Sequence, residues 1–144
     1  MIRILITGAT RGIGYATAKR LLGRNDERQA IPAEELHILA LGRDFSRFDL
    51  DGAAAAGRCQ RVPFDLRAVD DIAALCDRLG PIDVLVNNAA MLTAQPFGQY
   101  RAADRRDLIA TNIEAPAELI RCLVPPMIAN NAGPVHGRVI NIAS

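Results

Sequence analysis

The chain has 144 residues, half of them apolar, and a formal net charge of +1. That length suits one domain, residues 1–144, with a real core, and the apolar content excludes disorder. The near-zero charge argues against a surface that binds nucleic acid or membrane by electrostatics. The opening apolar stretch "MIRILITGAT" is broken by Gly8 and is too short for a membrane span or a signal peptide.

In chain order, "IRILIT" (2–7) reads as a short, fully apolar strand, and helical periodicity follows from Ile13 to about Arg24. The polar stretch "GRNDERQAIPAEE" (23–35) reads as a surface insertion, ahead of a second strand "LHILAL" (36–41). "RCQRVPFDL" (58–66) is a third, weaker strand that Pro63 places near an edge. An amphipathic helix is predicted over 68–79, a fourth strand over 82–88, a long helix with Pro116 inside it over 102–123, and a fifth strand over 137–143. Strands this apolar are buried on both faces, and their alternation with helices predicts a doubly wound α/β fold, a Rossmann-type parallel sheet with helices on both sides. Cys59, Cys76 and Cys122 form no C-x-x-C pair, which predicts buried thiols in a reducing, cytoplasmic compartment.

Between the first strand and the first helix lies "TGATRGIG", with Gly8, Gly12 and Gly14. Glycine permits a tight turn and close backbone approach to a pyrophosphate, and the helix N-terminus offers free N–H groups to that anion. No Lys-Ser/Thr pair follows, so the loop is not a P-loop. At the end of the second strand an acid would bind the ribose 2′-hydroxyl of NAD. Here Gly42 stands in that place and Arg43 follows, with Arg11 in the glycine loop as a second guanidinium. Two arginines without the acid suit the 2′-phosphate of NADP over NAD; Asp44, one step beyond, is the counter-signal.

Four ordered motifs, "TGATRGIG" (7–14), "FDL" (64–66), "NNAA" (87–90) and "RVINIAS" (138–144), with Asn112 in "TNIEAP" as a fifth element, make the chain resemble the short-chain dehydrogenase/reductase family over its whole length. The resemblance implies a nicotinamide cofactor and hydride transfer to or from a small carbonyl or alcohol substrate. It places Thr7, Gly8, Arg11, Gly12, Ile13 and Gly14 at the cofactor, Asp65 and Leu66 by the adenine, and Asn87, Ala89 and Ala90 toward the nicotinamide ribose. Ala90 departs from the glycine usual there. The 102–123 helix resembles the element that many members use to dimerise, which implies a homo-oligomer. The loop "MLTAQPFGQYR" (91–101) supplies Met91, Leu92 and Phe97 for an apolar substrate wall.

The same resemblance implies catalysis by an Asn, Ser, Tyr and Lys set, with Ser144 and Asn112 in the first two roles. Pro116 has no N–H, so the carbonyl of Asn112 loses its ordinary helical partner and is free for a water. The family's Tyr–Lys pair follows the serine by about a dozen residues, beyond position 144. "YATAK" (15–19) has the pair's spacing and holds the sole lysine, Lys19. It lies on the first helix beside the pyrophosphate end, so it is a decoy, with the Tyr15 hydroxyl expected at solvent or the helix surface. The expectation is therefore the leading part of an NADP(H)-dependent oxidoreductase, inactive as these 144 residues alone. The alternative is a non-catalytic nucleotide-binding or interaction module. A methyltransferase-like domain is a weaker rival, opposed by "NNAA" and "RVINIAS".

Overall fold

The computed structural model describes residues 1–23, 31–130 and 137–143. Its strands are β1 (Ile2–Thr7), β2 (Leu36–Gly42), β3 (Cys59–Pro63), β4 (Val84–Asn87) and β5 (Arg138–Asn141). All pair in parallel, in the order β3-β2-β1-β4-β5. Parallel neighbours need crossovers, and these carry α1 (Gly12–Gly23), α2 (Asp51–Ala55), α3 (Ile72–Leu79), α4 (Ala102–Ile109) and α5 (Ala115–Ala129). The chain winds outward from β1 through β2 to β3, then returns to place β4 on the other side of β1. The C-terminal ends of β1 and β4 therefore flank the switch point where open α/β sheets bind ligands.

Side-chain alternation along the central strands builds two cores. Leu5, Leu39, Leu41 and Leu85 face one way and pack with α3 and α5. Ile4, Ile6, Ile38 and Val86 face the other way and pack with Ala18 and Leu22 of α1 and with Phe48. Pro63 ends β3, which is an edge strand as its proline predicts.

Several boundaries differ from the sequence-based expectation. The third strand covers 59–63, because after Phe64 donates its N–H to the Gly42 carbonyl the chain turns through Asp65–Ala68. The short helix α2 falls on "DGAAA", a stretch without periodicity that sequence reasoning passed over. The long helix does not stop at Leu123. It runs to Ala129 through Pro125 and Pro126, because Ala115, Leu119, Leu123 and Met127 bury one face at four-residue spacing. α4 joins α5 through a π-helical turn, Ala110–Glu114. β5 forms the second edge of the sheet. All four β5 residues are exposed, with Val139 at 37% and Ile140 at 44%. Nor are all three thiols buried: Cys59 and Cys76 are, but Cys122 is half-exposed. Ser144, residues 24–30 of the polar insertion and the side chain of Phe97 lie outside the described residues.

Candidate functional site

The glycine loop is knitted to the end of β4 by a small set of polar contacts. Thr7, at the end of β1, is buried, and its hydroxyl accepts from the backbone N–H groups of Asn88 and Ala89, each at 3.0 Å. Asn88 Nδ2 donates to the carbonyls of Thr7 at 3.0 Å and Gly8 at 3.3 Å. A Cβ on Gly14 would stand 2.5 Å from both Asn88 Nδ2 and the Gly8 carbonyl oxygen, so only glycine allows this approach. Asn88 was missed in the sequence because the pair "NN" gives no cue to which asparagine turns inward toward the loop. Thr7, expected at the cofactor, shapes the loop with its hydroxyl engaged internally.

Gly12 opens α1 with φ +59° and has nothing within 4 Å of where a side chain would begin. The start of α1 thus presents bare backbone to open space, with no acidic residue in its first turn. That is the environment a pyrophosphate needs, and the residues present fit a dinucleotide. Arg11 and Ile13 flank Gly12 and are both exposed, Ile13 at 64%.

Gly42, Arg43 and Asp65, the residues expected at the adenosine, stand at the neighbouring ends of β2 and β3. A Cβ on Gly42 would lie 2.5 Å from the Thr10 methyl group, so the close approach of strand end and loop leaves no room for an acid there. The counter-signal Asp44 is engaged locally, its carboxylate accepting from the Ser46 N–H at 2.8 Å. That bond holds its carboxyl below the usual range, with smaller help from the Arg47 and Arg11 charges. Arg43 and Arg11 are exposed, and neither forms a salt bridge among the described residues.

Asp65 is gripped by Arg67. Nε donates to both carboxylate oxygens at 3.1 and 3.0 Å, Nη2 to Oδ2 at 2.5 Å, and the Arg67 backbone N–H to Oδ1 at 3.0 Å. The side-chain bonds from Arg67 hold the Asp65 carboxyl below the usual carboxylate range, and the nearby Arg43 charge adds to this. Arg67 also reaches α4, donating from Nη1 to Asp107 at 3.0 Å. Leu66 is buried in the core beneath α3 and α5.

Toward the far end of the cleft, Asn87 is buried and its Nδ2 donates to Asn141 Oδ1 at 3.0 Å, tying the ends of β4 and β5. Ala90 is exposed. Asn112 sits in the π turn and clasps the backbone of Met91: Oδ1 accepts from its N–H at 2.7 Å and Nδ2 donates to its carbonyl at 2.8 Å. The Asn112 side chain is therefore occupied by the Met91 backbone. The turn's hydrogen bonding is shifted as well, Ala115 N–H reaching back five residues to the Ala110 carbonyl. Leu92, in the loop that follows, is 87% exposed.

"YATAK" lies on α1, away from these strand ends. Tyr15 packs edge-on against Phe48, with ring centroids 5.8 Å apart, and its hydroxyl donates to the Asp49 carbonyl at 3.2 Å. The bond is solvent-exposed, in keeping with the expectation of a hydroxyl at solvent or the helix surface, and it ties Tyr15 to the segment after β2. Lys19 is exposed.

The short chain dehydrogenase family model matches residues 3–144. The chain belongs to the short-chain dehydrogenase family. It is 33% identical to the ketoacyl reductase HetN of a Nostoc species, over 98% of this chain and 47% of that protein. It is 30% identical to gluconate 5-dehydrogenase of Gluconobacter oxydans, over 99% of this chain and 53% of that one. The chain thus spans about half the length of the curated relatives it matches. Among solved structures, it superposes on a metagenomic short-chain oxidoreductase in complex with NADP with a TM-score of 0.79 and 32% identity, covering 99% of this chain and 61% of that one. A short-chain dehydrogenase from Sphingobium yanoikuyae in complex with NADPH gives 0.77 and 29%, covering all of this chain and 54% of the other. Among the described residues, no helix is long and apolar enough to cross a membrane.

Proposed function

We propose that the protein is an NADP(H)-preferring oxidoreductase that moves a hydride between nicotinamide and a small carbonyl or alcohol. One observation carries the cofactor choice: Thr10 crowds the place of a ribose-binding acid at Gly42, while Arg43 and Arg11 are exposed and form no salt bridge among the described residues. Two of the similar solved structures hold NADP or NADPH, which supports the same reading.

The bound dinucleotide would supply the hydride to a carbonyl or take it from an alcohol; the rest is the work of this chain. The start of α1 at Gly12 binds the pyrophosphate through backbone N–H groups. Arg43 and Arg11 pair the 2′-phosphate, Asp65 and the Leu66 backbone border the adenine, and Asn87, Ala89 and Ala90 line the nicotinamide end. The Asn112 carbonyl holds a water for proton relay, and Ser144 donates a hydrogen bond to the reacting oxygen. Lys19, the sole lysine of these residues, stands on α1 and takes no part in the acid–base step. Exposed Ile109 and Ile113, at 37% and 62%, support a homo-oligomer built on α4 and the π turn.

The test is a fluorescence titration of NADPH and NADH against the full chain. NADPH should bind at least about tenfold more tightly, since one charge-assisted hydrogen bond contributes roughly 1.5–3 kcal/mol. Equal affinities, or a preference unchanged in Arg43→Ala, would overturn the assignment.

A further inference from the structure

Arg67 is not needed to bind any part of the cofactor in the reading above, yet it is one of the most heavily bonded side chains at the cleft. It makes four hydrogen bonds to Asp65, three of them from the guanidinium, and a fifth to Asp107. The grip settles a competition. Gly42 pairs with Pro63, and the Phe64 N–H donates to the Gly42 carbonyl at 3.0 Å, so Arg43 and Asp65 leave the ends of two neighbouring strands; Asp65 thus feels both Arg67 and, more weakly, Arg43. A carboxylate left free at that point would pair with the nearer mobile guanidinium, and Arg43 is exposed and forms no salt bridge among the described residues. Pairing with Asp65 would draw Arg43 away from a 2′-phosphate and leave an uncompensated negative charge beside it.

We infer that Arg67 is a positioning residue for cofactor preference: by chelating Asp65, it keeps Arg43 available to a 2′-phosphate. The inference rests on the NADP reading of the site and names the residue that maintains it. Asp107 on α4 takes the remaining arm of the guanidinium, so the fork cannot swing away from Asp65 without breaking a second ion pair. The bidentate geometry matters as well as the charge, because a lysine at this position would hold Asp65 through a single mobile ammonium. The linked group Asp65, Arg67 and Asp107 carries a net −1, and loss of Arg67 makes it −2; Asp44, next to Arg43 in the chain, is engaged by the Ser46 N–H.

The measurement is calorimetric binding of 2′,5′-ADP and 5′-ADP to the full chain, reported as the ratio of the two affinities. A common effect on the adenine cancels in that ratio. Arg67→Ala should lower it about three- to tenfold, the range of one partly screened charge acting over several ångström. Arg67→Lys should fall between wild type and Arg67→Ala. Adding Asp65→Asn to Arg67→Ala should restore the ratio, because the competitor for Arg43 is then neutral. A structural role for Arg67 would weaken both ligands alike and would not be rescued by Asp65→Asn. An unchanged ratio in Arg67→Ala, or a lowered ratio that Asp65→Asn fails to restore, overturns the inference. A wild-type chain that binds the two nucleotides equally overturns the NADP reading itself, a result separate from the other two.

Discussion

Replacing Asn112 with alanine removes a two-bond clasp that joins the π turn to the segment leaving β4. The bonds to the Met91 backbone are 2.7 and 2.8 Å and connect residues 21 positions apart. A net contribution of roughly 0.5–1.5 kcal/mol for each gives about 1–3 kcal/mol in total. The lower half of that range applies, because Asn112 is half-exposed and water can reach the Met91 groups once the side chain is gone. Asn112→Asp separates the two bonds: a carboxylate still accepts from the Met91 N–H, but its second oxygen faces the Met91 carbonyl, acceptor against acceptor. At neutral pH it should destabilise at least as much as alanine. Urea unfolding of the full chain, followed by circular dichroism with a common slope, gives both differences. Amide hydrogen exchange at Met91 supplies a local reading, which should quicken in both variants. A loss below about 0.5 kcal/mol in Asn112→Ala, with Met91 exchange unchanged, would refute the clasp as a structural element.

Tyr15→Phe should leave single-turnover hydride transfer in the full chain nearly intact and cost about 1 kcal/mol or less of stability, since it loses one exposed bond to Asp49. Ser144→Ala should slow that step by roughly 10²–10³, the effect of losing a donor where charge develops; equal collapse in both variants would return "YATAK" to the active site. Alkylation of the native protein near pH 8, read by peptide mapping, should label half-exposed Cys122 ahead of buried Cys76, whose thiol burial pushes up to about 12; simultaneous labelling of both would contradict the packing of α3 on α5. For Asp65, whose folded carboxyl is held below its ordinary value of about 3.9, the stabilisation is present above that value and lost as pH falls through the lower folded one. The stability difference between wild type and Asp65→Asn should therefore shrink on acidification below about pH 4, and one that grows would reverse the assigned sign.

The sequence by itself determined the five strands in chain order, the edge position of β3 and the glycine turn between the first strand and the first helix. Each is a local signal: an apolar run, a proline or a glycine placed directly after a buried strand. Gly12 was legible because a tight turn after a strand calls for the positive φ that glycine adopts, whereas the close approach of Thr10 to Gly42 appears only in the folded chain. Tertiary structure alone decided the partners. Asn88, and not its neighbour in "NN", folds back onto the glycine loop because Thr7 and Gly8 lie within its reach only once β1 and β4 pair. The hydroxyl of Tyr15 and the guanidinium of Arg67 found acceptors at Asp49 and Asp107, 34 and 40 residues away, and no spacing rule reaches that far. The continuation of α5 through two prolines follows the same logic. Propensity argued for a stop after Leu123, and burial of Met127 at the next step of the apolar stripe outweighed it. Local chemistry fixed which elements form, because each depends on its own few residues; contacts between distant residues fixed what the polar side chains do, because a hydrogen bond has no direction until both its ends are in place.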